Sequence, residues 1–394
     1  MITGGWRDSS IREKRALTMN NTLSIVHLVY TMGLGGIEMS ASKLALDQRE
    51  RGCDITVVCL YQSGCIGEDL RNKGIEVVAL NLRRGFGMMN LIIPLLRICV
   101  RRKVDVLCVH TVGVEIPVAI VAAISRIRKR VLAIRAFANY SGWRYCWARL
   151  GAKVAGVCYS EIICISNALK QHEVHHLHRN PEQISVIWNG VDTAKFCPRF
   201  IEQSSRAQAL GLNSIEPNTF VVGMGAQLRE FKDIPTLMRA ASLVKNYGRD
   251  DVLFVVAGKG PLEAKLKALA IELGIEDSFK FVGPITDMPR FLNAIDMLAL
   301  TSPFEGLGVI VLEAMATGKA VVTTDSGGVR DCVIDGENGI IVPVKDDKSL
   351  AQAIIKLMDD ETLRNRMGQV GLERARRYFT LEQYTQAYWD LISN

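Results

Sequence analysis

Several features that would identify large protein classes are missing from the sequence. Its ten cysteines form no C-x-x-C pair and no regular spacing, and nine of them lie at or before Cys197. Such cysteines are typical of small buried side chains in a reducing compartment, not of a disulfide framework. The basic clusters contain no recognisable nucleic-acid-binding module and few interleaved aromatic residues, so we do not expect nucleic acid as a partner.

No segment predicts an export signal or a membrane span. The first 20 residues lack the apolar core of a signal peptide, and residues 91–100 are too short and too interrupted to cross a bilayer. We predict that residues 1–20 are a disordered leader, with Met19 as an alternative start. The expected location is the cytoplasm.

Positive charge is concentrated in the first half of the chain. Residues 1–195 contain 26 Lys and Arg against 15 Asp and Glu, a net charge of +11, whereas the remaining residues contain 22 against 26, a net charge of −4. The basic clusters at 83–84, 101–103 and 126–130 alternate with apolar stretches. One interpretation is a face that contacts anionic lipid, peripherally at the cytoplasmic side of a membrane, or an anionic acceptor. The other is a set of ordinary helix ends whose apolar sides pack in the core.

Strands alternate with helices along most of the chain, in two series. A chain of 394 residues is too long for one core and is predicted to form two domains. The first series starts near residue 24, the pattern becomes irregular after 192, and the second series starts at 219. We therefore predict an α/β protein with two parallel doubly wound sheets, in domains at 21–195 and 196–379 followed by a C-terminal segment at 380–394.

Three loops are predicted to border a common cleft. Ligands of open parallel sheets bind at the carboxyl ends of the strands, where we expect the loops at 33–36, 225–233 and 303–308. A helix is predicted at 309–316, directly after the third loop. The unpaired N–H groups of Leu307 and Gly308 at its start should attract an anion, phosphate above all.

Two carboxylates accompany this predicted anion site, Glu305 in the loop and Glu313 on the helix. A carboxylate repels phosphate, so neither is suited to holding it. Each can instead accept hydrogen bonds from hydroxyl groups or stabilise positive charge. A phosphate flanked by hydroxyls describes a nucleotide sugar, which is the ligand that these residues predict.

A series of motifs across both halves resembles one family. In chain order they are Gly35-Gly36-Ile-Glu38, Asp105-Val-Leu-Cys-Val-His110, Ser166, Asn189-Gly-Val-Asp192, Lys232, Gly258-Lys-Gly-Pro261, Phe281-Val-Gly283, Glu305, Glu313 and Gly327-Gly328. From about Ile25 onwards the chain is similar to retaining glycosyltransferases of the GT-B fold, family 4, which include many bacterial polysaccharide and glycolipid enzymes. The resemblance implies two Rossmann-like domains facing a cleft, the first for the acceptor and the second for the nucleotide sugar. It also implies that the C-terminal segment is a helix crossing back to the first domain.

The resemblance assigns roles to individual residues. Glu305 would contact the donor sugar near the reacting carbon, Glu313 would bind the ribose, and Lys232 would neutralise the leaving group. For His110 the ground is the strand-end rule: at the carboxyl end of a predicted strand it would contact the sugar or the acceptor, with a satisfied histidine that caps the strand as the alternative. The other implied donor-binding residues are Gly35 and Gly36, which let the backbone approach the diphosphate, and Gly306, Leu307 and Gly308.

No cofactor or metal is expected beside the nucleotide sugar. The sequence contains no Asp-x-Asp site, so Lys232 and helix dipoles are expected to take over the role of a metal ion. The chain departs from the family at Gln227, where an arginine is usual. The loss of that charged contact would cost on the order of 2–4 kcal/mol of transition-state stabilisation, and Arg229 is the candidate substitute.

Three other patterns were weighed against this interpretation. The run His172-Glu-Val-His-His176 matches a zinc-protease motif, but it lies in a polar stretch that lacks the apolar helical setting expected around a buried zinc site, and the match is taken as accidental. The glycines at 33–36 resemble part of a dinucleotide fingerprint, but no acidic residue follows near Leu60, which disfavours a dehydrogenase. The aromatic segment at 135–147 fits an acceptor or membrane contact, although ordinary packing is favoured.

The leading prediction is a cytoplasmic enzyme that moves a sugar from a UDP- or GDP-sugar to a glycan or lipid-linked acceptor. A nucleotide-sugar epimerase or hydrolase on the same architecture is the second candidate. A catalytically weakened sugar-nucleotide-binding protein is the third, because of Gln227.

Overall fold

The computed structural model describes residues 22–33, 35–83, 88–138 and 141–393. The predicted leader at 1–20, together with Arg84 and Tyr140, lies outside these ranges. No helix within them is both long and apolar enough to span a bilayer.

The first domain is built on a seven-stranded parallel sheet. Its strands are β1 Ser24–Val29, β2 Asp54–Cys59, β3 Glu76–Ala79, β4 Val106–Val109, β5 Lys129–Ile134, β6 Glu161–Cys164 and β7 Ile184–Val186. They lie in the order β3-β2-β1-β4-β5-β6-β7. The helices between them are α1 Gly36–Glu50, α2 Gly64–Asn72, α3 Ile92–Arg102, α4 Glu115–Ile124, α5 Trp143–Cys158 and α6 Asn167–Leu177.

The second domain repeats this plan with six parallel strands. They are β8 Phe220–Gly225, β9 Val252–Ala257, β10 Phe279–Gly283, β11 Met297–Leu300, β12 Ala320–Thr324 and β13 Gly339–Val342, in the order β10-β9-β8-β11-β12-β13. The helices are α7 Gln203–Ala209, α8 Ile234–Asn246, α9 Glu263–Glu272, α10 Met288–Ala294, α11 Val309–Ala316, α12 Asp347–Asp359 and α13 Glu361–Tyr378.

The central strands are apolar because helices cover both faces of each sheet. Every residue of β1 and of β11 is buried, as expected for the middle of a doubly wound sheet. The strand order reverses between β1 and β4 in the first sheet and between β8 and β11 in the second. Ligands of such sheets bind at these switch points, so the loops after these four strands are the ones that build the site.

The C-terminal helix α14, Leu381–Ser393, returns to the first domain. It packs against α1, and its Tyr384, Tyr388 and Ile392 join the apolar core beneath the first sheet. The crossing is close: a Cβ at Gly190 would lie 2.6 Å from the carbonyl oxygen of Thr380. Glycine is therefore what allows the two chain segments between the domains to pass each other.

The local predictions differ from the structure mainly in the first domain. Helix α11 has the predicted bounds, and α3 starts at Ile92 after a single 3-10 turn. No helix was predicted for the polar run that contains His172. It forms α6, where Ser166 accepts a hydrogen bond from the N–H of Leu169 at 3.1 Å and caps the first turn.

Candidate active site

Two helices from different domains begin opposite each other across the cleft. Helix α11 begins after Gly308, whose φ of +80° is readily accessible only to glycine. Helix α1 begins at Gly36, and a Cβ added there would lie 3.9 Å from Cγ2 of Val309, the first residue of α11. The first N–H groups of a helix have no partner within it, and both helix starts carry partial positive charge. The gap between them is therefore suited to an anion.

Backbone contacts hold the loop between β11 and α11 against both domains. The N–H of Glu305 donates to the carbonyl of Ser326 at 2.9 Å, and the N–H of Gly328 donates to the carbonyl of Glu305 at 3.1 Å. A Cβ at Gly306 would lie 2.7 Å from the carbonyl oxygen of Arg135 in the first domain. The loop at 303–308 is thus pressed closely against the first domain.

Lys232 and Glu305 form an ion pair at the cleft. Lys232 lies in a short 3-10 turn after β8, and its Nζ is 2.5 Å from Oε1 of Glu305. The two side chains are 18% and 13% exposed, so the pair is neither sealed in the core nor fully solvated. An ammonium group has three N–H donors, which leaves Lys232 able to bind a further oxygen while it holds Glu305. The structure thus brings together two of the predicted catalytic residues.

Glu313 lies deeper, on the side of α11 that faces the first domain. Burial raises the pKa of its carboxyl to about 7, although Lys43 and Lys195 act in the opposite direction. Burial likewise lowers the pKa of Lys43, against the effect of Glu313 and Asp192. The ionised carboxylate of Glu313 and the ammonium of Lys43 are both poorly solvated here. A bound ligand that hydrogen-bonds to them would therefore offset part of the solvation free energy that these groups lose on folding.

The glycine loop before α1 makes room for a carboxyl group of its own helix. Gly35 has an extended backbone, and a Cβ added there would lie 2.3 Å from Oε2 of Glu38. Oε1 of Glu38 accepts a hydrogen bond from Thr31 at 3.3 Å, and burial raises the pKa of Glu38. The carboxyl group of Glu38 therefore occupies the space beside Gly35, inside the first domain.

His110 is buried at the end of β4, and both of its ring nitrogens face other side chains. Arg135 Nε donates to its Nδ1 at 3.1 Å, and its Nε2 lies 2.9 Å from Nδ1 of His27. His27 Nε2 in turn lies 2.7 Å from Oε1 of Gln48. Because a guanidinium only donates, Nδ1 of His110 accepts and its proton lies on Nε2. His110 therefore donates to Nδ1 of His27, and His27 donates through its Nε2 to Oε1 of Gln48.

Burial keeps both rings of this chain neutral. It lowers the pKa of His27 to about 4 and that of His110 well below the usual range, with the charge of Arg135 acting in the same direction. A contact of His110 with sugar or acceptor would require the ring to break its hydrogen bond with His27 or with Arg135. The predicted substrate contact of His110 stays a prediction.

Arg135 links four separate parts of the first domain. Besides His110, it donates to Oδ1 of Asn189 at 3.1 Å and to the hydroxyls of Tyr384 and Tyr388 at 2.8 and 3.2 Å. Arg135 itself follows β5, His110 directly follows β4, Asn189 lies on the segment that leaves the domain, and the two tyrosines lie on α14. The guanidinium therefore fastens the returning C-terminal helix beneath the cleft.

The predicted phosphate clamp after β8 is more open than the rest of the site. The side chains of Gln227 and Arg229 are both exposed, and the N–H of Arg229 donates to the backbone carbonyl of Gln227 at 2.9 Å. Arg229 precedes the turn that carries Lys232. The structure thus places both residues beside the loop of Lys232.

The histidine-rich helix α6 carries an ion pair in place of a zinc site. Glu173 binds Arg179 at 2.7 Å in the interior, while the rings of His172 and His176 stack 4.3 Å apart. Across the parts of the chain that the structure covers, no group of three or more His, Cys, Asp or Glu is placed to hold a metal ion.

The aromatic segment at 135–147 divides into two parts. The ring of Phe137 packs against Phe304 of the donor loop and against His172, at centroid distances of 6.1 and 5.2 Å. Trp143 and Trp147, by contrast, are exposed on α5. The favoured prediction of ordinary packing holds for Phe137 and is wrong for the two tryptophans.

Three polar residues at this site were missed from the sequence. Lys43 follows Gly36 by seven residues, two helical turns, so a helix beginning at Gly36 places both on one side. Glu38 was noted only as part of a motif. Arg135 directly follows β5, and the strand-end rule that singled out His110 applies to it equally.

Two family models match, one in each domain. The model described as Glycosyltransferase Family 4 matches residues 34–195, and the model described as Glycosyl transferases group 1 matches residues 211–374. Together they cover most of the chain. Glycosyltransferases are also found among its curated relatives.

The UDP-Gal:alpha-D-GlcNAc-diphosphoundecaprenol alpha-1,3-galactosyltransferase of Escherichia coli is 27% identical, over 87% of this chain and 90% of its own length. The lipopolysaccharide core biosynthesis mannosyltransferase LpsB of Rhizobium meliloti is 33% identical over 52% of this chain. The chain spans only 58% of that relative.

The fold recurs in solved glycosyltransferases. Anabaena Alr3699/HepE in complex with UDP and glucose matches with a TM-score of 0.82 and 24% identity, over 94% of this chain and 100% of its own. WaaG, a glycosyltransferase involved in lipopolysaccharide biosynthesis, matches with a TM-score of 0.73 and 16% identity, over 92% and 99%. At these identities the likeness shows the fold alone, and it confirms the two facing Rossmann-like domains.

Proposed function

Because the chain belongs to the GT-B glycosyltransferases of family 4, we propose that it transfers a sugar from a UDP-sugar to a lipid-linked glycan, with retention of configuration. The Escherichia coli relative is named for UDP-galactose and a diphosphoundecaprenol-linked acceptor, and a HepE structure contains UDP-glucose. These names favour uridine over guanosine and a glycolipid of the lipopolysaccharide type. The observation that carries the proposal is the Lys232–Glu305 pair beside two opposed helix starts.

The diphosphate of the donor would lie between the starts of α1 and α11. Backbone N–H groups of Leu307 and Gly308 would bind its oxygens, and Gly36 leaves space for it on the opposite side. Lys232 would supply the full positive charge that backbone dipoles lack. No metal ion is required by this arrangement, because cation and dipoles act on the same phosphate.

Glu313 would receive the ribose hydroxyls. With a pKa of about 7, its carboxyl is present in both protonation states near neutral pH, so it can both accept and donate hydrogen bonds. Lys43, whose charged form is also poorly solvated, is a second candidate partner for the same hydroxyls. The ribose hydroxyls would thus give hydrogen-bond partners to two buried side chains from different domains.

The reaction would exchange one bond at the anomeric carbon for another on the same face. The bond from that carbon to the diphosphate oxygen breaks, the acceptor oxygen bonds to the carbon, and the acceptor proton passes to the departing diphosphate. Positive charge develops on the sugar during this step. Glu305 would stabilise that charge, and Lys232, its ion-pair partner, would stabilise the negative charge of the leaving group.

We also propose that the protein works at the cytoplasmic face of a membrane. A diphosphoundecaprenol carrier, as named for the Escherichia coli relative, has a long lipid chain that stays in a bilayer. The net charge of +11 in the first 195 residues would attract anionic headgroups to the acceptor domain.

Thermal-shift titration of the purified chain with UDP, GDP and their sugar derivatives tests the donor assignment. A ligand that binds the folded state raises the unfolding temperature with its concentration. We expect the largest shift with UDP and UDP-sugars. A shift with GDP and none with UDP would contradict the assignment.

Incubation of the best donor with and without a diphospholipid-linked sugar then separates the three candidate activities. A glycosyltransferase forms the new linkage only when the acceptor is present, and NMR of the anomeric proton reports retention. Conversion of the donor without acceptor would favour an epimerase or hydrolase. Donor binding without turnover would favour a weakened binding protein.

A further inference from the structure

Helix α5 turns its large apolar side chains outward. The exposed fractions of Trp143, Trp147, Leu150 and Val157 are 74%, 44%, 47% and 86%. Steps of four, three and seven residues place these four side chains, here called the α5 face, along one side of the helix. They form a continuous apolar stripe that is open to solvent in this chain.

The buried side of α5 consists of Gly151, Ala152 and Ala155. A Cβ added at Gly151 would lie 3.3 Å from Oε2 of Glu115, so small residues let this helix lie close against α4. A surface helix ordinarily buries its large apolar side chains and exposes polar ones. The reversed arrangement leaves the α5 face without an apolar partner among the residues that the structure describes, and exposed apolar patches of this kind mark interaction sites.

The charge of α5 is positive along its length. Its sequence contains Arg144, Arg149 and Lys153 and neither Asp nor Glu. Arg144 lies near the Trp143 ring, with its guanidinium carbon 5.8 Å from the ring centroid. Tryptophan and leucine on one side and cations beside them are the composition of helices that lie in the interface of an anionic bilayer.

Neighbouring helices extend this surface. Helix α4 packs against both α3 and α5. Ile124 of α4 and Ile93 and Val100 of α3 are exposed, and so is Arg97. Apolar and basic side chains thus continue along the same layer of helices, which is the composition expected of a surface that rests on lipid.

We propose that the α5 face docks the protein on a bilayer containing anionic lipid, with Trp143 and Trp147 in the headgroup region. This inference rests on the proposed function, because it names the surface from which a lipid-linked acceptor enters the cleft. Phe137, in the loop between β5 and α5, packs against Phe304 of the donor loop. Phe137 also contacts His172 of α6, and Tyr145 in the first turn of α5 donates to the carbonyl of His176 on the same helix at 3.0 Å. The N-terminal end of α5 thus lies on the side of the first domain that carries this cleft contact, where an acceptor headgroup would have to enter.

A second copy of the chain suits this face less well than a lipid surface. In a symmetric dimer the same patch is used twice, so the three cations of one α5 would face the three cations of the other. Anionic headgroups complement these charges instead. The same argument disfavours a basic protein partner.

Flotation with vesicles tests the proposal. The full chain is mixed with vesicles of phosphatidylethanolamine and phosphatidylglycerol, or of phosphatidylcholine alone, and the bound fraction is measured. We expect at least tenfold tighter binding to the anionic vesicles. Combined substitution Trp143→Ala, Trp147→Ala and Leu150→Ala should weaken binding at least tenfold, and Arg149→Gln with Lys153→Gln should remove the preference for anionic lipid.

The matched control replaces exposed apolar residues of the second domain, Tyr247→Ala with Ile271→Ala, which are 69% and 67% exposed. It should bind vesicles within twofold of wild type. All variants are first compared by thermal unfolding with and without UDP, so that an unfolded variant is not counted. If the α5 variant binds vesicles as wild type does, or if wild type does not bind them, the proposal is overturned.

Two further outcomes identify other causes. A wild-type dimer in size-exclusion chromatography that the α5 substitutions convert to a monomer, without vesicle binding, would make the face a contact between copies and overturn the proposal. Transfer to a water-soluble, short-chain acceptor depends on the cleft alone. If the wild-type protein binds vesicles but transfers no sugar to such an acceptor, the proposed function is refuted and the docking surface stands.

Discussion

The two switch points of this protein occupy equivalent places in their sheets and are built in opposite ways. In the second domain, the loops after β8 and β11 bring Lys232 and Glu305 together at the cleft, where both remain partly exposed. In the first domain, His110 after β4 is sealed inside, and so is Arg135, which follows the next strand β5 and donates to His110. One side presents charge to a ligand, and the other presents glycine backbone supported by a buried polar network.

This contrast separates activity from stability. A partly solvated ion pair contributes little to folding, so its members can be chosen for chemistry. A buried hydrogen-bond network costs folding free energy when it is broken, because its remaining polar groups lose their partners. Substitutions on the donor side should therefore lower turnover, and substitutions beneath the acceptor side should lower stability.

The largest effect is expected for Lys232→Ala. Removing a positioned cation from a leaving diphosphate should lower kcat about 100- to 1000-fold, while the midpoint of thermal unfolding changes little. Steady-state kinetics with the identified donor measure the first quantity and calorimetry the second. The matched control is Lys267→Ala, an exposed α9 lysine that pairs with Glu263 at 2.8 Å. Unchanged turnover in Lys232→Ala would contradict the assigned role.

Arg135→Met tests the opposite side of the comparison. The methionine fills part of the same space but makes none of the four hydrogen bonds of the guanidinium. At about 1 kcal/mol each, their loss should reduce the free energy of unfolding by about 4 kcal/mol, measured in urea. Arg128→Met, at an exposed position, should stay within about 0.5 kcal/mol. A stable Arg135→Met protein with poor turnover would reverse the proposed division.

Glu313 should make stability depend on pH between its unfolded and folded pKa values, 4.5 and about 7. A raised carboxyl pKa means that the folded state binds the proton more tightly, so this contribution is present at low pH and is lost as the pH rises to about 7. Glu313→Gln lacks the titration. Relative to wild type, its free energy of unfolding should rise by up to about 3 kcal/mol from pH 4.5 to pH 8. Parallel urea-unfolding profiles for the two proteins would exclude this account.

The smallest effects are expected at the exposed phosphate clamp. Gln227→Arg would return a cation beside the loop of Lys232 and should raise kcat/KM about tenfold, since charged contacts to phosphate are stronger than neutral ones. Arg229→Ala should change kcat/KM less than about threefold if its exposed side chain points away from the donor. A large loss in Arg229→Ala would show that this arginine replaces the missing one.

Helix α11 and the central strands could be predicted because their signals are local. An apolar run followed by a Pro- and Gly-containing turn defines β11, its loop and α11 within about 20 residues of sequence. Helix α6 was missed because its histidines and glutamate hide the buried positions Leu169, Glu173 and Leu177, which are spaced by four. A charged residue such as Glu173 is not expected at a buried position from sequence alone. In the structure it is buried because its ion pair with Arg179 compensates its charge.

The direction of α5 illustrates the same limit. Its tryptophans were expected to pack inside, because large apolar side chains usually do. The side of a helix that meets the domain depends on what lies beneath it, and here Glu115 leaves room only for small residues such as Gly151. No local pattern in the sequence records that neighbour.

The sequence by itself determined the fold, the enzyme class and the predicted donor residues, since strand composition, helix starts and motif order are properties of neighbouring positions. Only the tertiary structure decided which groups meet: Lys232 with Glu305, Glu313 with Lys43, and Arg135 with α14. Partners that lie far apart in the chain are brought together by the packing of two domains and a returning helix. Burial, charge and pKa follow from that packing, because they depend on distance in space and not on spacing in sequence.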